Sequence, residues 1–248
     1  MQSLSPNLPP DTQREMLRRM LTIRRFEERA SADYLAGKIY GVVHCYIGEE
    51  AVAVGVCSAL EREDRIISTH RGHGHCIAKG ADLNRMMAEL YGRQTGYCKG
   101  KGGSMHIADL SKGMLGANGI VGGGPPLICG RALASKQLGT GGVAVAFFGD
   151  GASNQGVLME TLNVSALWRL PLVFVCENNG FSEFTPTAEV TAGRIADRAR
   201  AFAVPVAEVD GNDVTAVWQA AGEAIARARD GGGPASWAPM KITDSTME

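Results

Sequence analysis

A chain of 248 residues with 45% hydrophobic and 21% charged residues has the composition of an ordinary globular protein, long enough for a substantial core. Its formal net charge of -1 gives no electrostatic reason to expect nucleic acid or an anionic membrane as partner. No apolar run approaches a membrane span, the six cysteines form no CxxC pair, and Met1 to Pro10 carries no basic residue, a pattern that predicts reduced thiols in a cytoplasmic protein without a targeting peptide.

Residues 11–37 predict a helix: Met16, Met20, Ile23, Phe26, Ala30 and Tyr34 fall on one face at 3.6 residues per turn. Residues 50–60 predict a second helix, residues 65–68 a short strand and residues 83–91 a third helix. A long Gly/Lys-rich segment then runs to about Gly119, and a loop of that length inside a compact domain points to function. Residues 143–148 (VAVAFF) form a continuous apolar run, as expected of a strand buried on both faces of a parallel sheet. The turn Gly149-Asp150-Gly151 follows, then a helix over residues 153–168 and a second buried strand over residues 172–176. Strand, helix and strand at this spacing make a right-handed βαβ unit. Residues 204–209 suggest another strand, and residues 213–229 a helix with Asp213 as N-cap. The expected fold is α/β: a doubly wound, mostly parallel sheet flanked by helices, in one domain over residues 1–248, with residues 1–40 as an N-terminal helical segment.

Neighbouring parallel strands end on the same edge of a sheet, so Asp150 and the Glu177-Asn178-Asn179 turn should meet where open α/β folds bind ligands. A carboxylate, an amide oxygen and a nearby backbone carbonyl form a hard oxygen site suited to magnesium. Gly149 and Gly151 let backbone approach a phosphate, toward which the following helix start would aim free N–H groups. The dication settles an electrostatic conflict, because Asp150 alone repels a diphosphate. A dinucleotide fingerprint is the rival reading. Against it, four residues separate the GxG from Gly156, an acid sits inside the turn, and Glu177 is weak support for a ribose contact. Plain turn chemistry by the glycines and the Asn pair is the bland alternative.

The segments VHCYIGEEA (residues 43–51), STHRGHG (68–74), GKGGSMH (100–106), GANGIVGGG (116–124) and GDGASNQG (149–156), with ENN after the second strand, occur in this order. Together they resemble the alpha subunit of the thiamine-dependent first component of 2-oxo acid dehydrogenase complexes, and the variants resemble its acetoin dehydrogenase branch. The resemblance implies a thiamine-diphosphate-binding fold, with thiamine diphosphate and magnesium as cofactors. It implies magnesium ligation by the side chains of Asp150 and Asn179 and the carbonyl of Phe181. Gly151 and Ala152 would offer N–H groups to the diphosphate, His70 and Arg71 would reach it, and Gly119 and Val121 would contact the aminopyrimidine. His44 would stand on the substrate side as the catalytic histidine. The implied partners are a beta subunit supplying the activating glutamate, a second alpha chain in a two-alpha, two-beta assembly, and a lipoyl-bearing acyltransferase. The implied reaction is acetoin cleavage with acyl transfer to the lipoyl group. A pyruvate or branched-chain 2-oxo acid dehydrogenase alpha subunit and a non-catalytic scaffold are the alternatives.

All five histidines lie between His44 and His106. His70, His73, His75 and Cys76 match no zinc spacing, so His73 and His75 are expected to be polar loop residues near the site. His106 either lies near the cofactor or closes its turn, while Lys99 and Lys101 are expected to be solvated and Met105 and Met114 to pack. Two features depart from the family. Arg131 stands where the family has a small residue. Residues 234–248 are expected to be an atypical tail, without the apolar strand and basic Gly-His loop that reach the diphosphate. That tail predicts weak cofactor binding, no turnover and an exposed sheet edge at residues 204–209.

Overall fold

The structure, a computed structural model, describes residues 8–240. Helix α1 (Pro10–Leu35) opens the chain with Pro at its first turn, where no backbone donor is lost, and buries Met16, Ile23, Phe26 and Ala30. This is the stripe expected from the sequence, except that Tyr34 is exposed while Glu27 and Asp33 are buried. Helix α2 (Glu50–Ser58) and strand β1 (Arg65–Ile67) follow. Helix α3 (Gly72–Ala78) is buried along its whole length, and α4 (Leu83–Leu90) is capped by the Asp82 carboxylate. Next come α5 (Gly124–Leu138), β2 (Ala144–Gly149), α6 (Gly156–Leu167) and β3 (Leu172–Glu177). A hairpin of β4 (Phe181–Ser182) and β5 (Thr185–Pro186) leads into α7 (Thr187–Val190) and α8 (Ile195–Arg200). Strand β6 (Val206–Asp210), α9 (Val214–Arg229) and β7 (Ala235–Met240) complete it, with the Asp213 carboxylate accepting from Thr215 and Ala216 N–H as the expected cap.

The main sheet has five strands in the order β1-β2-β3-β7-β6, all parallel. Alternation along its central strands builds two cores. Val145, Phe147, Val173 and Val175 face one layer with residues of α1, α2, α3 and α9. Ala144, Ala146, Phe148, Leu172, Phe174 and Cys176 face the other, with residues of α5, α6 and α8. Burial on both faces explains why these strands read as continuous apolar runs, and each such Val, Leu or Phe contributes about 1.5–3 kcal/mol. This is the expected doubly wound α/β arrangement.

The structure corrects the expected tail. Residues 235–240 form β7, a strand inserted between β3 and β6, so the sheet continues past Pro234; residues 241–248 lie outside the described residues. The predicted strand at residues 204–209 is β6, one edge of the sheet, and its inner side is paired with β7. Its Glu208 binds Arg194 and Arg200, placing charges along an edge that would otherwise invite pairing. At the opposite edge, residues 113–116 run beside β1, where Ile66 N–H donates to Gly113 C=O and Leu115 N–H to Ile66 C=O.

The first part of the long Gly/Lys-rich segment has a structural role. The buried Glu89 carboxylate accepts N–H bonds from Cys98 (2.7 Å), Gly100 (2.9 Å), Gly102 (2.7 Å) and Gly103 (3.2 Å). The loop is wound around its own internal anion, so these donors serve folding. Lys99 and Lys101 are exposed, as expected, and His106 Nδ1 closes its turn on Gly102 C=O. Burial pushes the Glu89 carboxyl up, but the four backbone donors outweigh it and hold it below the ordinary carboxylate value. A depressed folded pKa contributes stability that is full above the unfolded value and is lost as pH falls through the folded one. Glu89→Ala should therefore cost on the order of 3 kcal/mol at pH 7 in urea denaturation, with a smaller gap between parent and variant at low pH. An equal gap at pH 7 and at low pH would show that the ionised carboxylate is not what holds the loop.

Candidate functional site

Register decides where the site forms. Strands β2 and β3 pair residue by residue up to Gly149 opposite Glu177, and Asp150 N–H donates to Glu177 C=O at 3.3 Å. Asp150 and the Glu177–Asn179 turn therefore leave the sheet side by side. The Asp150 carboxylate is buried and accepts from Gly151 N–H at 3.0 Å and from the Thr187 hydroxyl. Burial raises its pKa, the mark of a carboxylate short of a counter-charge. Asn179 Oδ1 accepts from Phe181 N–H at 3.0 Å, and its Nδ2 donates to Glu49 at 3.1 Å. Gly151 permits this turn: a Cβ there would meet Ser182 Oγ at 2.3 Å. Residues 151–154 form a single tight 3-10 turn, and α6 starts at Gly156 rather than at the expected Ser153.

The other expected site residues arrive on two further segments. Ser68 N–H donates to Gly116 C=O at 2.9 Å and Asn118 N–H to Thr69 C=O at 3.4 Å, which sets the loop carrying Gly119 and Val121 beside His70 and Arg71. A Cβ on Gly122 would lie 2.8 Å from the Gln155 side chain, so the same loop also reaches the turn after Asp150. Gly119 and Val121 themselves are exposed. His44 packs edge-on to His70 with ring centroids 4.7 Å apart, and Arg71 Nη1 donates to Cys45 C=O at 2.6 Å. Burial first, then the Arg71 guanidinium, lowers both imidazoles, His70 to about 4, so each is neutral at pH 7. Five segments thus converge: residues 44–49, 68–71, 116–122, 150–155 and 177–182.

Several participants escaped the sequence reading. His73 and His75 lie on the fully buried helix α3, not on a loop. His75 Nδ1 meets Ser68 Oγ at 2.7 Å, and its Nε2 meets Glu177 at 3.0 Å and the Tyr46 hydroxyl at 3.1 Å. The Tyr46 hydroxyl also donates to Glu177. Arg198 on α8 grips the 151–154 turn through Ser153 C=O (2.5 Å) and Asn154 Oδ1 (2.8 Å). Thr187 and Arg198 carried no motif that could have revealed them. Glu49 and Glu177 stood inside quoted motifs, and the charge of two acids in apolar surroundings was the available signal. Arg131 binds Ser135 within α5. Among the described residues no cluster of three or more His, Cys, Asp or Glu could hold a metal ion.

The sequence profile of the dehydrogenase E1 component matches residues 18–236. The chain belongs to that family. It is 61% identical over 220 residues to the alpha subunit of acetoin:2,6-dichlorophenolindophenol oxidoreductase from Bacillus subtilis, covering 88% of this chain and 66% of that one. The Cupriavidus necator protein of the same name is 58% identical, covering 92% of this chain and 68% of the relative. The pyruvate dehydrogenase E1 component subunit alpha of Rhizobium meliloti is 45% identical, covering 88% of this chain and 63% of the relative. The chain thus spans about two thirds of the length of these relatives. A solved thiamin diphosphate-dependent enzyme from Mycobacterium smegmatis shares the fold, with a TM-score of 0.50 at 18% identity over 77% of this chain and 31% of that one. Among the described residues no helix is long and apolar enough to cross a membrane.

Within this E1 fold the site holds three buried acids, Glu49, Asp150 and Glu177. Glu49 is pushed up to about 8, first by burial and next by the Glu177 carboxylate, with Arg71 and the Asn179 amide offsetting part of the rise. A raised folded pKa means that the stability contributed by the protonated form is full below the unfolded value and is lost as pH rises through the folded one. Glu49→Gln, which keeps an acceptor for Asn179, should therefore raise the unfolding free energy of the metal-free chain at pH 9 by on the order of 1–3 kcal/mol in urea denaturation, and leave it nearly unchanged at pH 5. A gain of equal size at both pH values would mean that packing, not charge, is responsible.

Proposed function

We propose that the chain is the alpha subunit of an acetoin dehydrogenase that uses thiamine diphosphate and magnesium. The observation that carries the reading is the meeting of Asp150 and Asn179 on one sheet edge, beside a glycine turn too tight for a side chain. Identity to acetoin-oxidising relatives, at 61% against 45% for a pyruvate dehydrogenase alpha subunit, favours acetoin over pyruvate or a branched-chain 2-oxo acid.

The donor set fits the group. Asp150 is a buried carboxylate short of positive charge, which a hard dication satisfies, and Asn179 Oδ1 and the Phe181 carbonyl supply the neutral oxygens such an ion takes. The N–H groups of Gly151 and Ala152 would face the diphosphate, together with His70 and Arg71. Arg71 uses Nη1 on Cys45 and retains further guanidinium N–H groups for phosphate oxygens. The backbone at Gly119 and Val121 would hold the aminopyrimidine. When bound, thiamine diphosphate supplies the carbon nucleophile that attacks the substrate carbonyl. His44 is neutral at pH 7 and half-buried, so its imidazole can take or give a proton at a substrate oxygen. The activating glutamate is assigned to a beta subunit, the assembly to two alpha and two beta chains, and the acyl acceptor to a lipoyl-bearing acyltransferase.

Calorimetry with magnesium and thiamine diphosphate tests the site. Asp150→Ala should abolish magnesium-dependent binding with the fold retained, and Asn179→Ala should weaken it less. Arg71→Ala should lose about ten- to a hundredfold for the diphosphate and nothing for thiamine without phosphates. Parent-like binding by Asp150→Ala would place the cofactor elsewhere. In the intact enzyme, dye reduction should be fastest with acetoin; a faster rate with pyruvate would move the chain to the other branch.

A further inference from the structure

Glu27 lies on α1, and both its side chain and that of His73 are inaccessible to solvent. Glu27 Oε2 meets His73 Nδ1 at 2.9 Å, His73 Nε2 meets Ser104 Oγ at 3.0 Å, and Ser104 Oγ accepts the backbone N–H of His44 at 3.4 Å. Among the described residues the other Glu27 oxygen is the buried side-chain atom left without a partner, so the His73 ring is the hydrogen-bond partner of this carboxylate, whose charge also reaches the Cys45 thiol. One arrangement of protons matches every donor to an acceptor. His44 N–H is a fixed donor and makes Ser104 Oγ its acceptor. The Ser104 proton then points to His73 Nε2, and His73 carries its proton on Nδ1 toward Glu27. The chain is directional and ends at the residue assigned to the substrate.

Its end point is constrained from two more sides. Cys45 C=O is held by Arg71, and the Tyr46 hydroxyl by Glu177 and His75, with the Tyr46 ring packed where a Cβ on Gly74 would come within 2.0 Å. Three consecutive residues are thus tied to separate partners, and the tie at His44 is the one that runs through His73 and Ser104; the Cys45 thiol also donates to the Glu27 C=O at 3.9 Å. We propose that Glu27, His73 and Ser104 are positioning residues that fix the backbone of His44 and so aim its imidazole at the substrate. Residues 42–44 have no regular secondary structure of their own, so this bond, with Val43 packed on the core and the His44 ring against His70, orders the segment before the Arg71 and Tyr46 anchors.

The significance of aiming His44 rests on the proposed function, but the device itself is testable without cofactor or partner. Amide hydrogen exchange in the 248-residue chain should show His44 exchanging about tenfold faster in Ser104→Ala and in Glu27→Ala, as expected for one lost hydrogen bond, with Val145 and Val173 in the sheet core unchanged. Ser104→Thr, which retains the hydroxyl, and Glu27→Gln, which retains an acceptor for Nδ1–H, should restore parental exchange at His44. Nitrogen-15 spectra of the five histidines should place the His73 proton on Nδ1. Parental exchange at His44 in both alanine variants, or a proton on Nε2 of His73, would overturn the relay. Acceleration spread evenly over core amides would overturn it as well, by making these residues general supports of the fold. Loss of cofactor binding with the exchange pattern as expected would instead count against the proposed function alone.

Discussion

The pairing of β2 with β3 is the constraint on which the site depends. Because the two strands are parallel and in register up to Gly149 and Glu177, the chain must deliver Asp150 and Asn179 to the same edge within a few residues of each other. That register is fixed by burial on both faces, since a slip of one residue would exchange the side chains facing the two cores. The hydrophobic energy that sets the sheet also sets where Asp150 and Asn179 leave it, and neither residue contributes much to that energy.

The opposite holds for the layer formed by α1 and α3. There the packing residues are themselves polar. Glu27, His73, His75 and Glu177 are all buried, and each imidazole lies between a carboxylate and a serine hydroxyl. Buried ionisable groups are expensive unless fully bonded, and replacing such groups by apolar side chains is often neutral or favourable for stability. Their retention beside a cluster that already includes Glu49 and Asp150 is better explained by placement than by stability. Arg71 is the cation common to this arrangement: it lowers the imidazoles of His44 and His70, offsets part of the charge felt by Glu49, and fastens Cys45.

How much of this was legible follows from the kind of signal each element carries. The strands β2 and β3, the crossover helix and the edge position of Asp150 and Asn179 could be read, because apolar runs with a tight turn between them admit few other structures. Strand β7 could not: Ala235 to Met240 is short and carries Pro239, and proline argues against a strand with a neighbour on each side. Helix α3 was hidden by its composition, since Gly72-His73-Gly74-His75 has poor intrinsic helix propensity and is held by tertiary packing, including the Tyr46 ring against Gly74. The segment after α4 was read for function because it is rich in glycine, yet its N–H groups close on Glu89, a residue from the preceding helix that no local pattern links to them.

Glycine-rich backbone therefore does two different things in this chain, and charge separates them. Around Glu89 several N–H groups converge on a carboxylate supplied by the protein, and the anion site is filled from within. At the Asp150 turn the same kind of backbone stands beside carboxylates whose donors do not offset their burial: burial and then Glu177 raise Glu49, and burial raises Asp150 in spite of the Gly151 N–H and the Thr187 hydroxyl. An ionised Asp150 would repel a phosphate that entered such a place unaided. A cation on Asp150, as proposed, would neutralise that carboxylate and make the turn attractive to an anion. The acid whose burial outweighs its donors, rather than the glycine pattern, is thus what distinguishes the proposed ligand site from the structural loop.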